Sequence, residues 1–282
     1  MTLQTLLGGR AFLEGPRWHD GALWVSDMHS DEVVRVNSAG EAETMVRVPG
    51  QPSGLGWLPN GDLLVVSMTD RHLLRVDRDG QTHLHADLSD HISKRANDMV
   101  VDDKGRAYIG NFGFDFDKGE APATTSLLRV DPDGSIHIAA EDLSFPNGMV
   151  ITSDGETLII AETFAAQLTA FDIDADGGLS NRRVWADMPE GAVPDGICLD
   201  EYMGVWVASP TTKDCFRVEE GGQVTHQVST GEQQAIACML GGDDGKTLFV
   251  LTAESTHRDK CRELRTSAIL THSAPFARAG RP

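Results

Sequence analysis

One unit recurs six times along this chain, and few folds can absorb such a repeat. Each copy is a turn glycine, a run rich in Val, Ile, Leu and Thr, a short gap, a second such run and another turn. From Gly21 the runs are ALWVSD and EVVRVNSAG, and from Gly61 they are DLLVVSMTD and HLLRVDRDG. Gly105 leads into RAYIGN and SLLRVDPDG, and Gly155 into ETLIIAET and LTAFDIDADG. Gly204 leads into VWVASP and CFRVEEGG, and Gly245 into KTLFVLTAES and a less regular tail. Apolar β-formers bounded by Asp-Gly and Asn-Gly are strand–turn–strand signals. The anchor glycines lie 40, 44, 50, 49 and 41 residues apart. Six units at that period predict an all-β chain folded as a six-bladed β-propeller, one domain over residues 1–282. A β-sandwich or Greek-key stack needs neither the long period nor the same turn chemistry six times. Nothing helical interrupts the pattern. The segment 6–13 is placed to add a strand to the last blade and close the ring.

Residues at one register of this repeat carry the chemistry. Glu14 stands seven before Gly21, Ser53 eight before Gly61, Asn97 eight before Gly105 and Asn147 eight before Gly155. Asp195 stands nine before Gly204, and Ala237 takes the place in the last unit. In a propeller the first strand of each blade lines the central channel, so these positions ring one of its mouths. Glu14, Asn97, Asn147 and Asp195 are therefore expected to converge. Two carboxylates and two amide oxygens make a hard, all-oxygen cation site suited to Ca²⁺, Mg²⁺ or Mn²⁺ better than to a thiolate-preferring metal. The competing reading makes each a turn residue, because Asn-Gly and Asp-Gly are common turn dipeptides. The shared register, and a Glu at position 14 where no turn needs one, favour the cation site.

The same residues lie in longer motifs: EGPRW at 14–18, RAND at 95–98, VDDKGRAYIGN at 101–111, PNGM at 146–149, PDGICLD at 194–200 and VWVAS at 205–209. With these the chain resembles the senescence marker protein / gluconolactonase / luciferin-regenerating enzyme (regucalcin-like) family over most of its length. The resemblance implies a six-bladed propeller with one divalent cation at the channel mouth, Ca²⁺ ahead of Mg²⁺, Mn²⁺ or Zn²⁺. It implies Glu14, Asn147 and Asp195 as direct ligands, and Asn97 as a fourth, held directly or through substrate or water. It implies Arg95 and Asn97 as a substrate-binding pair and Asp195 as catalytic base. The chain departs from the pattern in two places. Relatives have Gly-Thr-Met or Thr-Asp-Pro where this chain has Gly110-Asn111-Phe112-Gly113-Phe114-Asp115-Phe116, and Asp-Thr where it has Glu162-Thr163. Both segments are expected to flank the mouth, so they bear on which substrate is taken.

The function expected is that of a metal-dependent lactonase, opening a small cyclic ester to a hydroxy acid. Phe112, Phe114 and Phe116 are read either as buried aromatics at a strand end or as a lid over the substrate. A sugar lactone prefers polar partners there, so a more apolar lactone has equal standing. A promiscuous esterase or organophosphate hydrolase would use the same Lewis acid. A calcium- or ligand-binding propeller without turnover is the reading from another class.

Composition removes other classes. Asp and Glu number 43 against 24 Lys and Arg, a net charge of −19 that repels nucleic acid and anionic membrane surfaces. No stretch approaches 18 apolar residues, so no transmembrane helix is expected. The first residues lack a basic region followed by an apolar core, so no signal peptide is read there. Cys198, Cys215, Cys238 and Cys261 are widely spaced with no CxxC, which fits reduced, buried thiols in a cytoplasmic protein. His83, His85 and His91 are read as solvent-facing. Asp172-x-Asp174-x-Asp176-Gly177 opens like an EF-hand loop, but Arg183 stands where a bidentate Glu is required, so it is read as a hairpin turn. There is no GxSxG, HExxH or Walker A motif. Lys213 and Trp206 read as ordinary loop and strand residues, and Asp27, Met28 and His29 as a surface loop near the pocket.

Overall fold

The computed structural model describes residues 3–282. Its strands form six antiparallel sheets, set in a ring as the blades of a β-propeller. The blades occupy 13–47, 52–87, 96–143, 146–187, 197–229 and 234–273. Each begins with its innermost strand: Leu13–His19, Pro52–Trp57, Ala96–Val101, Pro146–Ile151, Ile197–Asp200 and Gln234–Gly241. These inner strands contact their counterparts in neighbouring blades, which places them around the axis.

The turn glycines do what their spacing suggested. Gly105 has φ 82°, a conformation open to glycine at little cost, and it lies in a turn where Asp102 accepts from the N–H of Lys104 and of Arg106. Blade five departs from this. There the left-handed residue is Met203 (φ 63°), and Gly204 leaves room for the Arg217 guanidinium, 2.3 Å from where its Cβ would stand. The Asp172–Gly177 segment is a hairpin turn between Gln167–Ile173 and Leu179–Asp187.

The core lies between the blades, where facing sheets bury Val, Ile and Leu against each other. Leu13, Leu23 and Val25 of blade one pack with Leu240 and Leu248 of blade six, and with Trp206 of blade five. Met99 and Ile109 of blade three pack with Leu64 and Val66 of blade two. All four cysteines are free and buried.

The ring closes through the N-terminal strand Gln4–Arg10, which pairs antiparallel with Ser267–Ser273 as the outermost strand of blade six. Arg10 then fastens this strand to blade one through Asp27 at 2.8 Å and Glu32 at 3.2 Å. At the other end, the short strand Arg278–Ala279 adds to the inner strand of blade five, and Arg281 bridges to Ile151 of blade four. The chain end thus crosses the mouth defined by the C-terminal ends of those inner strands.

Two expectations are corrected. A helix, Arg258–Leu264, interrupts blade six. At seven residues it is too short to show a helical period in sequence, and docking holds it: Arg258 and Arg262 each reach Asp31 at 2.8 Å. Beneath it, Asp27, Met28 and His29 are buried, not a surface loop. Asp27 accepts from Phe12 N–H at 3.0 Å, while His29 lies between Thr256 O at 3.0 Å and Gln51 Nε2 at 2.9 Å. No helix among the described residues is long and apolar enough to cross a membrane.

Candidate active site at the channel mouth

The inner strands of blades one to four break their register where the repeat places a candidate residue, whereas Asp195 of blade five lies in the loop just before a regularly paired inner strand. The irregularity falls between Glu14 and Arg17 in blade one, Pro52 and Leu55 in blade two, Ala96 and Met99 in blade three, and Pro146 and Met149 in blade four. A bulge re-aims a side chain out of the pleat. In blade six the irregular residue is Ile236, between Ala235 and Ala237, so that blade brings no polar side chain.

The residue after each candidate is glycine in blades one, two, four and five, and the reason is not a turn. A Cβ on Gly148 would stand 2.6 Å from Ile197 N and 2.7 Å from Asp195 O of the next inner strand. Gly148 N–H donates to Asp195 O at 3.2 Å, and Gly196 N–H to Ile236 O at 3.0 Å. The Asn-Gly and Asp-Gly pairs here mark close contact of backbones around the axis.

Three of the four predicted residues join in one hydrogen-bonded run. Asn97 Nδ2 donates to Asn147 Oδ1 at 3.2 Å and to Pro146 O at 3.4 Å. Asn147 Nδ2 donates to Asp195 Oδ1 at 2.5 Å and to Thr163 Oγ1 at 3.2 Å. Thr163 Oγ1 in turn donates to Pro194 O at 2.8 Å, fixing the loop that carries Asp195. Glu14 is buried within electrostatic range of Asp195, and its Oε2 accepts from Gly15 N–H at 2.6 Å. Among the described residues, no protein donor reaches Glu14 Oε1 or Asp195 Oδ2.

Burial raises the pKa of both acids. Glu14 lies well above the usual carboxylate range, first through desolvation and then through the charges of Asp195 and Asp98, against the opposing pull of Gly15 N–H and Arg17. Asp195 is pushed up to about 8, again first by desolvation, with the Asn147 hydrogen bond acting the other way and the Asp98 charge adding to the rise. Asp195 sits among protein groups but keeps a partly exposed edge. No three His, Cys, Asp or Glu side chains gather as a cation site among the described residues. The donor set here is two carboxylates and two amides, and its carboxylate oxygens without protein donors fit a hard divalent cation.

Sequence reasoning did not single out Asp98 and Arg17. Arg17 Nη2 reaches Asp98 Oδ1 at 2.7 Å, and its Nε donates to Leu55 O at 2.9 Å, all buried. The signal was available: blade three carries Asp where four other blades carry Gly. Arg95 does not hydrogen-bond to the cluster. It stands at the rim, paired with Asp117 at 2.5 Å, beside a cavity of about 310 Å³ that Phe112, Phe114 and Phe116 also line. Two further aromatics, Phe145 and Phe164, pack against Phe114. A separate cavity of about 630 Å³ opens at the opposite mouth, among Trp18, Trp57, Asp102, Arg278 and Arg281. None of the four candidate residues lines it, because they sit at the other ends of the inner strands.

Residues 12–254 match the family described as SMP-30/Gluconolactonase/LRE-like region. Regucalcin of Danio rerio is 28% identical over 171 residues, which is 60% of this chain and 57% of that protein. Pentonolactonase XacC of Haloferax volcanii is 26% identical over 244 residues, covering 85% of this chain and 81% of that one. Among solved structures, a luciferin-regenerating enzyme superposes with a TM-score of 0.84 at 19% identity, covering 99% of this chain and 98% of the other, a likeness of fold.

Proposed function

The chain belongs to the SMP-30/gluconolactonase/LRE-like family, and we propose that it is a divalent-cation-dependent lactonase, hydrolysing a small cyclic ester to a hydroxy acid. The observation that carries this reading is the convergence of Asn97, Asn147 and Asp195, with buried Glu14 in electrostatic range, at one channel mouth. The similarity to a pentonolactonase supports it.

Glu14, Asn147 and Asp195 would hold the cation, with Asn97 as a fourth oxygen. A divalent cation bound there supplies Lewis acidity, polarising the ester carbonyl and lowering the pKa of water. Asp195 Oδ2, free of protein donors, takes the proton of the attacking water as its oxygen bonds to the acyl carbon. That proton then passes to the alkoxide oxygen released when the ring C–O bond breaks. Asn97 and Arg95 orient substrate oxygens. Thr163 accepts from Asn147 Nδ2 while Asn97 donates to its Oδ1, so the Asn147 amide is held from both ends.

Proton release from a panel of lactones, with cation and with chelator, tests this. Turnover that chelator abolishes and added Ca²⁺, Mg²⁺ or Mn²⁺ restores is the expected result. Cation binding without turnover of any lactone would leave a binding propeller, and turnover indifferent to chelator would remove the cation from the reaction.

A further inference from the structure

We propose that the phenylalanine wall beside the cluster is a substrate subsite, and that the ester hydrolysed carries an apolar substituent, aliphatic or aromatic, rather than the hydroxyl-rich ring of a sugar lactone. The inference rests on the lactonase reading and names its substrate class.

Five rings from three separate segments meet here. Phe112, Phe114 and Phe116 follow the second strand of blade three. Phe145 precedes the inner strand of blade four, and Phe164 lies in the turn Thr163–Ala165. Ring centroids are 4.5 Å apart for Phe112 and Phe145, 5.3 Å for Phe145 and Phe164, and 5.2 Å for Phe114 and Phe164. Such distances are those of favourable aromatic pairs.

The wall is joined to the proposed chemistry at three points. Phe112 N–H donates to Arg95 O at 3.0 Å. Phe145 is separated from Asn147 by Pro146 alone. Phe164 follows Thr163, which receives the Asn147 amide at 3.2 Å. Phe145 holds φ 59°, a conformation a bulky side chain rarely adopts, so the fold sustains strain at the step that leads into Asn147.

The rings divide into a base and a face. Phe114 and Phe145 are buried, at 4% and 8% exposure, while Phe116 and Phe164 remain 45% and 43% exposed with centroids 6.5 Å apart. Two large rings left open over a buried aromatic base offer apolar area that a ligand can cover. They offer no hydrogen-bonding group to sugar hydroxyls. Of the cations that line the adjoining cavity, Lys94 pairs with Glu120 at 2.6 Å, Arg95 with Asp117 at 2.5 Å, and Arg71 donates to Ile92 O at 3.3 Å. The adjoining cavity of about 310 Å³ has Phe112, Phe114 and Phe116 as its apolar side and polar residues such as Thr69, Arg71 and Ser93 on the other, and it is of a size to admit a short chain or a single ring against the rings.

Two ligand series with matched rings test this. One is γ-lactones bearing hydrogen to hexyl at the ring carbon, read as kcat/KM with cation present. The other is the corresponding γ-lactams, which resist hydrolysis, read as binding by calorimetry. Both should rise up to about fourfold per added methylene over the first few carbons. Phe164→Ala and Phe116→Ala should each flatten the rise, and Phe164→Leu should restore most of it. Both residues are exposed, and the melting temperature checks that the variants stay folded. A flat wild-type series, a rise that both Ala variants keep, or sugar lactones turned over better than alkyl lactones would overturn the proposal. A rise in lactam binding with no lactone hydrolysed would instead overturn the lactonase reading and leave the subsite standing.

Discussion

Arg17 and Asp98 form a buried ion pair, Nη2 to Oδ1 at 2.7 Å, that joins blades one and three past Leu55 of blade two. Arg17 also donates to the carbonyls of Pro16, Leu55 and Met99, which with Asp98 makes four bonds from its guanidinium to protein. The pair lies between the acidic cluster and the cavity at the opposite mouth, which Arg17 also lines. Asp98 adds negative charge next to Glu14 and Asp195, and Arg17 offsets it at Glu14.

Removing one partner should therefore cost more than removing both. Arg17→Met leaves Asp98 buried without its cation, a loss of about 3–5 kcal/mol. Arg17→Met with Asp98→Asn should recover much of that. Urea unfolding of the single and double variants measures the coupling. Additive losses would mean the two side chains act independently.

The acidic pair sets a pH dependence of opposite sign to the usual carboxylate case. Folded pKa values raised above the unfolded range of about 4 mean that the cation-free protein binds more protons folded than unfolded. The stability held below pH 4 is lost as pH rises toward about 8, the folded value for Asp195. The slope is up to about 1.4 kcal/mol per pH unit for one proton. A bound cation favours the ionised form and should remove the slope, so its stabilisation grows with pH. Melting temperatures from pH 5 to 8, in chelator and in Ca²⁺, would show the two curves diverging. Parallel curves would place the cation elsewhere.

Ligand removal should act on affinity and activity together. Glu14→Ala and Asn147→Ala each take one oxygen from the proposed set. Wild-type protein should gain about 2.7 kcal/mol at a cation concentration one hundred times the Kd, and the variants little at that concentration. Calorimetric titration and thermal melts measure this. A Glu14→Ala protein with unaltered affinity would exclude Glu14 as a ligand.

The fold was legible because its determinant is periodic. A glycine such as Gly105 at φ 82° is required by its turn, and the requirement repeats. Counting from those turns was enough to align Asn97, Asn147 and Asp195, which do meet. The glycines after them were open to a wrong physical reading. Asn147-Gly148 looks like a turn dipeptide, yet Gly148 sits inside a strand against the backbone of Ile197. Phe145 and Phe164 stayed hidden because each is a lone aromatic in its own segment, brought to Phe112 and Phe114 only by the packing of blades three and four. The two-residue strand Arg278–Ala279 has no pattern of its own, and its place depends on the inner-strand edge of blade five.

That contact at Gly148 makes its own prediction. Gly148→Ala introduces a methyl where Ile197 N and Asp195 O leave less than 3 Å. The two inner strands must separate, at about 1–3 kcal/mol. The separation pulls Asn147 from Asp195, so cation affinity should fall although no ligand is altered. Gly155→Ala, with open space around its Cβ but φ 76°, is the comparison: it should lower stability through backbone strain and spare affinity. Equal affinity losses in the two would mean that the close approach does not tune the site.

Asp195 is asked to hold a cation and to accept a proton, and the two roles compete. A neighbouring cation lowers a carboxylate's pKa and weakens it as a base. Here burial acts first in the other direction, lifting Asp195 to about 8, so the cation draws the group down from a raised starting point. The same cation acidifies the attacking water, so less basicity is needed. Asp195→Asn keeps an oxygen for the cation and loses the proton acceptor. It should retain appreciable affinity and lose about 10²–10⁴-fold in kcat, the usual range for a general base. Asn147→Asp is the control, since it preserves an oxygen and adds a third acid to a crowded site. It should change affinity and its pH dependence more than the chemical step. Single-turnover rates at saturating cation, across pH, separate the two roles. If Asp195→Asn turns over a good lactone at the wild-type rate, Asp195 is a ligand only, and the proton goes to Glu14 or to solvent.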